Sequence, residues 1–328
     1  AEIGQAHDGS LGIAHSYIDA LSDTGIDAIK FQTHIAQAES SIHEPFRINF
    51  SYEDKNRYEY WKRMEFSISE WKGLKEHCDE VGIEFISSPF SNMAVDLLEK
   101  IGVERYKISS GDINNFLLLN KIASTGKDVI ISSGMSTYAE LDSAVEIFTN
   151  NGNNVSLLQC TSKYPTSPED VGLNVITEMQ DRYGVKVGLS DHSGKIYPMI
   201  AATTLGAKIL EFHVVFDRKM FGPDSIASIN IDEVHQLAEA VRFTERSMNT
   251  IVDKKNGSEF GDLKLIFEKS LSINKSLSTG DIISFDDLES KKPSNKGIPS
   301  SEYKKVIGKK VNKDMECWSF LRWEDISE

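Results

Sequence analysis

Two lysines, Lys30 and Lys107, fall inside runs of apolar, strand-forming residues. An ammonium is costly to bury there unless an anion or a carboxylate compensates it. Lys30 shares a strand face with Gln32, two residues on, and the runs that follow also end in polar residues: Ser87 and Ser88, Ser109 and Ser110, Ser132 and Ser133. Two ammonium groups beside the hydroxyls of Ser88, Ser110 and Ser132 make a donor set for a small phosphorylated or carboxylated ligand. An internal ion pair with Glu2 or Glu211 is the alternative. His192 and His213 end two neighbouring runs and amount to half a metal shell, which leaves positions for water and a substrate oxygen. Two separately satisfied structural histidines are the alternative here. Ser162 and Tyr164 lie just beyond another run, and Asp191 precedes His192. His7 follows the first run and could face the same region, whereas His15, His34, His43, His77 and His235 show no ligand spacing among themselves.

These residues need a scaffold that brings eight strand ends to one place. Eight short runs bounded by turn residues alternate with amphipathic helical stretches: Glu2 to Gly4, Ala28 to Thr33, Glu84 to Ser88, Arg105 to Ser110, Val129 to Ser133, Ser156 to Cys160, Val187 to Asp191 and Ile209 to Val215. Eight such repeats predict a (β/α)8 TIM barrel, in which polar residues at the C-terminal strand ends converge on the mouth. Helical spacing is read at Ser10 to Thr24, Met93 to Ile101, Tyr138 to Asn150, Pro198 to Leu205 and Ile231 to Met248. The polar and aromatic stretch from Gln37 to Tyr60 reads as a substrate-covering loop, with Tyr52, Tyr58, Tyr60 and Trp61 packing beneath it. The pattern breaks at Asp253-Lys-Lys-Asn-Gly. We therefore expect a catalytic domain over 1–248, a linker over 249–265 and a small domain over 266–328, too short to be stable without packing on another surface.

Composition narrows the class. The 328 residues are 40% hydrophobic and carry a net charge of −14. That balance opposes broad polyanion surfaces such as nucleic acid or membranes. Residues 266–328 hold equal numbers of acidic and basic side chains, so the whole excess belongs to the barrel. A recessed anion site of two lysines and a metal is compatible with it. Cys78, Cys160 and Cys317 are too scattered for a disulfide framework or zinc knuckle, and no signal peptide or membrane span is read, so a cytoplasmic setting is expected. Walker, dinucleotide, H-E-x-x-H and G-x-S-x-G motifs are absent.

Taken together, Glu2-Ile-Gly, Lys30-Phe-Gln-Thr33, Ser87-Ser-Pro-Phe90, Tyr106-Lys-Ile-Ser-Ser-Gly111, Ser133-Gly-Met135, Cys160-Thr-Ser-Lys-Tyr-Pro165, Leu189-Ser-Asp-His192, Glu211-Phe-His213 and Gly222-Pro-Asp224 resemble the sialic (nonulosonic) acid synthase family along essentially the whole chain. The resemblance implies a TIM barrel followed by an antifreeze-like (β-clip type) domain, swapped between the subunits of a homodimer. It implies condensation of phosphoenolpyruvate with the open-chain aldehyde of an N-acylated amino sugar, giving a nonulosonic acid and phosphate. By the same resemblance His192 and His213 hold Mn2+ (or Mg2+ or Co2+), and Lys30, Ser88, Lys107, Ser110, Ser132 and Ser162 hold phosphoenolpyruvate. Glu2 transfers a proton, and Gln32, Tyr164, Asp224 and the partner's Lys292 meet the sugar.

Several positions differ from the pattern of the N-acetylneuraminate enzymes: Ser162 in place of Asn, Ser88 in place of Thr, Asp112 in place of Glu, Ala6 in place of Asn, and Lys291-Lys-Pro-Ser294 in place of Lys-Arg-Pro-Gly. Lys292 lacks the planar fork of the Arg it replaces. N-acetylmannosamine is the default acceptor, with a di-N-acetylated deoxyhexose, leading to legionaminic or pseudaminic acid, as the alternative. A non-catalytic sugar-binding protein and a metal-dependent aldolase of another pathway are the competing readings.

Overall fold

Side chains alternate in direction along a strand, and in this chain the alternation sorts them into a barrel interior and an outer layer. The computed structural model describes residues 1–48 and 50–328. Its strands β1 (Glu2–Gly4), β2 (Ala28–Thr33), β3 (Glu84–Pro89), β4 (Arg105–Ile108), β5 (Asp128–Ser132), β6 (Val155–Cys160), β7 (Lys186–Asp191) and β8 (Leu210–Phe212) form one parallel sheet in sequential order. A parallel bridge between Glu2 and His213 joins its two edges. With helices between successive strands this is a (β/α)8 barrel.

Two of the predicted runs end differently. The last breaks at His213, where β9 (Val214–Val215) leaves the barrel to pair with β10 (Ile229–Asn230). The fourth stops at Ile108, because Ser109 Oγ donates to Asp112 Oδ2 at 2.6 Å and the chain turns through a short 3-10 helix, Ser110–Asp112.

Inside the barrel Ile86, Ile130 and Leu158, with Ala28 and Ile209, form an apolar floor. Two residues further along the same strands stand Ser88, Ser132, Cys160, Lys30 and Glu211, all lining the mouth. The opposite strand faces carry Ile29, Phe31, Phe85, Ile108, Val129, Ile131, Leu157 and Leu189 into the main core against Tyr17, Trp71, Leu98 and Phe148 of the helices. Several helices begin on side-chain caps. Ser67 with Glu70, Thr137 with Glu140 and Asn230 with Glu233 form reciprocal capping boxes for Ile68–Val81, Tyr138–Asn150 and Ile231–Asn249.

The segment after β2 is more ordered than the loop expected. It holds two helices, Ala36–Glu39 and Arg57–Met64, and a cluster of its own: Ala36, Tyr60, Trp61 and Met64 packed by Phe46, Phe50 and Tyr58. Tyr52, expected in that cluster, stands 94% exposed. Asn49, within the same segment, lies outside the described residues.

The chain divides into two compact units, Ala1–Thr250 and Ile251–Glu328. The second has its own core of Leu271, Ile273, Leu277, Ile283, Ile298, Val306, Val311, Met315 and Leu321. It contains two antiparallel pairs, β11 (Ser270–Ile273) with β12 (Leu288–Lys291) and β13 (Lys310–Val311) with β14 (Ile326–Ser327). Part of the stretch read as a linker is helical, over Gly261–Phe267. Among the described residues no helix is long and apolar enough to cross a membrane.

Gly188 of β7 tests how tightly the barrel closes. A Cβ there would lie 1.9 Å from the Ile209 carbonyl oxygen, a backbone atom that cannot rotate away. Gly188→Ala should destabilise the barrel by about 2–3 kcal/mol. Gly73→Ala, within a helix and with nothing within 4 Å of the new methyl, should stabilise it by up to about 1 kcal/mol. Urea unfolding midpoints of the two variants check both signs.

Candidate active site

The mouth of the barrel opens into a cavity of about 480 Å³ lined from β1, β2, β3, β4, β5, β6, β7 and β8 and from the segment after β2. At its base four charges from four strands meet. Lys30 Nζ stands 2.7 Å from Glu2 Oε1 and 3.6 Å from Glu211 Oε2. Lys107 Nζ lies 3.4 Å from Glu211 Oε1 and donates to Ser132 Oγ at 2.7 Å. Ser190 Oγ donates to Glu211 Oε1 at 2.8 Å. The lysines are therefore ion-paired internally with Glu2 and Glu211, and they also line the cavity.

Burial alone would raise the Glu2 carboxyl, but Lys30, His213 and Lys107 outweigh it and hold Glu2 far below the ordinary carboxylate range. Glu211 is likewise held ionised against burial by Lys107 and Lys30. Burial lowers both ammonium groups. For Lys30 the two carboxylates more than reverse the effect, while Lys107, facing Glu211 and repelled by Lys30, stays below its usual value.

The predicted serines separate by strand face. Ser88, Ser110, Ser132 and Ser162 line the cavity, and the Ser88 hydroxyl is buried with no partner among the described residues. Gly134 N–H donates to Ser110 Oγ at 2.9 Å, and Ser110, Ser162 and Cys160 crowd around Gly134. Ser87 instead bonds Thr33 Oγ1 at 2.7 Å, Ser133 donates to the Leu158 carbonyl at 3.1 Å, and Asp191 accepts from Ser193 Oγ at 2.6 Å. These three serve the fold. His7 also turns from the mouth, buried against Phe66, and burial pushes its imidazole down to about 3.

His192 and His213 come together with ring centroids 5.2 Å apart. The His192 Nδ1–H donates to the Thr161 carbonyl at 3.1 Å, which leaves Nε2 with its lone pair. Burial, then the neighbouring His213, lowers His192 to about 4, so its imidazole is neutral at physiological pH. Among the described residues no three His, Cys, Asp or Glu side chains form a closed metal shell. Two imidazole donors on the wall of the cavity fit a catalytic divalent ion.

Tyr164 packs 4.2 Å from the His192 ring, and Arg47 lies 4.1 Å over Tyr164 while pairing with Asp224 Oδ1 at 2.7 Å. Gln32 Nε2 donates to Glu2 Oε1 at 2.5 Å. Lys292 belongs to the second unit, where its ammonium lies 4.9 Å over the Phe267 ring. Gln5, His34, Glu39 and Arg47 are among the cavity residues that sequence spacing missed. Only Glu39 carried a local signal, five residues beyond His34 and across the entry to a helix; Arg47 carried none, because its partners lie far away in sequence.

Residues 17–253 match the profile described as the NeuB family. The chain is 32% identical to N,N'-diacetyllegionaminic acid synthase of Campylobacter jejuni subsp. jejuni over 98% of each chain. It is 34% identical to N-acetylneuraminate-9-phosphate synthase of Homo sapiens, over 95% of this chain and 87% of the relative. The crystal structure of N-acetylneuraminic acid (sialic acid) synthetase from Leptospira borgpetersenii serovar Hardjo-bovis superposes with a TM-score of 0.71 at 31% identity, covering 80% of this chain and 89% of that one.

Gly134 checks whether the serine cluster cradles an anion. A Cβ at this position would lie 2.5 Å from Ser162 Oγ, 2.6 Å from Ser110 Oγ and 2.8 Å from Cys160 Sγ. These side chains can swing away, so Gly134→Ala should fold while losing the hydroxyl geometry. Its affinity for inorganic phosphate, measured by calorimetric titration, should fall about tenfold or more.

Proposed function

The chain belongs to the NeuB family, and from that membership we propose that it is a nonulosonic acid synthase, condensing phosphoenolpyruvate with the open-chain aldehyde of an N-acylated amino sugar. The observation that carries the reading is the unpartnered, buried Ser88 hydroxyl beside Lys30 and Lys107, on the same cavity as the His192–His213 pair. A dianion at one end and a carbonyl oxygen at the other is what such a site accommodates.

Lys30, Lys107, Ser88, Ser110, Ser132 and Ser162 bind the phosphate and carboxylate. C3 of phosphoenolpyruvate attacks the aldehyde carbon, and water adds to C2. The C2–O bond to phosphate then breaks, leaving the 2-keto acid. Glu2 is ionised before substrate arrives and so accepts a proton rather than giving one. An incoming anion competes with it for Lys30, which raises its proton affinity when the water must be deprotonated. His192 and His213 are the residues that would hold a divalent ion, Mn2+ in the first instance, which when bound supplies Lewis-acid polarisation of the aldehyde. Gln32, Tyr164 and Asp224 face the sugar.

The second unit is read as an antifreeze-like domain that, in a homodimer, brings Lys292 to the other subunit's sugar. Its equal count of acidic and basic residues lets it dock on an acidic barrel without net repulsion. Three free cysteines support a cytoplasmic setting. N-acetylmannosamine is the default acceptor. A di-N-acetylated deoxyhexose is favoured by one feature, the apolar wall of Phe46, Ile48 and Phe50 on the cavity, which suits a methyl group better than a hydroxymethyl.

Phosphate release from phosphoenolpyruvate and Mn2+ with each candidate sugar tests the reading. Turnover is expected with at least one amino sugar, to be abolished by chelation and restored by Mn2+. His192→Ala and His213→Ala should each lower kcat about 100-fold or more. Phosphate release that needs no amino sugar, or none with any, would sink the proposal.

A further inference from the structure

The cavity holds a second histidine–carboxylate arrangement that the reaction above does not use. His34, at the end of β2, is 4% exposed and is clamped between two aromatic rings, Trp61 at 4.0 Å and Phe90 at 4.5 Å, both nearly parallel to it. Trp61 is itself fixed, its Nε1–H donating to Glu44 Oε2 at 3.0 Å. His34 Nδ1 lies 2.6 Å from Glu39 Oε1. A carboxylate can only accept, so Nδ1 carries the proton. On the other edge of the ring, Nε2 lies 3.1 Å from both Gln5 Nε2 and Gln32 Oε1. Gln5 Nε2 also donates to Gln32 Oε1.

The chain of contacts is oriented from both ends. Gln32 Nε2 donates to Glu2 Oε1, so the Gln32 amide nitrogen faces Glu2 and its oxygen faces Gln5 and the edge of the His34 ring. Glu39 orients the imidazole; with the ring proton on Nδ1, Nε2 accepts from Gln5 Nε2, and Gln5 gives its other N–H to the Gln32 oxygen. Without them the Gln32 oxygen loses its partner and the amide is fixed at its nitrogen end alone, by Glu2. Glu39 Oε2 is buried with no partner among the described residues, which is a poor arrangement for a group present only to stabilise the fold.

From this geometry we infer that His34 and Glu39 are a positioning dyad, which fixes the amide of Gln32 so that one N–H serves Glu2 and the other is presented to the acceptor sugar. The inference rests on the synthase reading for the identity of that acceptor. The dyad acts through Gln5 and the Gln32 amide and bonds none of the hydroxyls of Ser88, Ser110, Ser132 and Ser162, so its loss is felt chiefly by the sugar.

Steady-state kinetics on the full chain with saturating Mn2+, together with phosphoenolpyruvate titrations, test this. His34→Phe keeps the aromatic clamp and removes both nitrogens; Glu39→Ala removes the acceptor; Glu39→Gln keeps an oxygen for the Nδ1 proton. In His34→Phe and Glu39→Ala the KM for the amino sugar should rise about tenfold or more and kcat should fall about tenfold, while phosphoenolpyruvate affinity stays within about twofold of wild type. Glu39→Gln should recover to within about threefold. Phosphoenolpyruvate affinity also reports whether each variant is folded, and Glu39→Ala decides the matter if His34→Phe does not fold. An unchanged amino-sugar KM in these variants, or an equal rise for both substrates, overturns the dyad and leaves the synthase reading standing. A wild-type enzyme that turns over no amino sugar overturns both.

Discussion

The site is organised around one buried electrostatic knot. Glu2, Lys30, Lys107 and Glu211 come from β1, β2, β4 and β8, so their mutual attraction spans the place where the first and last strands of the barrel meet. Each charge alone would be prohibitive in this interior; as two of each sign the group is neutral and tolerated. Removing any one leaves the others uncompensated, so the knot ties closure of the barrel to the integrity of the mouth. It also sets the chemistry, since it keeps both carboxylates ionised and both ammonium groups at hand for an anion.

Around this knot the two sides of the cavity are built from different material. The serine side is rigid: its hydroxyls stand on strand ends or on the first turn after them, and Gly134 is small enough to let them converge. The acceptor side is made largely by the segment between β2 and β3. Arg47 reaches from it to pair with Asp224 and cover Tyr164, while Trp61 braces His34.

Much of the fold was legible because its signal is local. Strand runs two residues out of phase with their polar ends give away the barrel, and Lys30, Lys107, His192 and His213 stand out because their types are costly in apolar strands. Ser87 and Ser133 were indistinguishable from Ser88 and Ser132 until the pleat fixed which faced inward. His34 has no ligand spacing with the other histidines; its partners are a carboxylate five residues away and amides on β2 and just beyond β1, a pattern that spacing rules do not describe.

The sequence by itself determined the parallel barrel, the small second unit and the residue types at the strand ends, because periodicity and turn chemistry act over a few residues. Only the tertiary structure decided that Lys30 and Lys107 are ion-paired and cavity-facing at once, that the last strand breaks at His213, and that Arg47 and Asp224 meet across 177 residues of chain. Those outcomes depend on distances between separate elements, and distance across a fold is fixed by barrel closure and packing, which no local window of sequence contains.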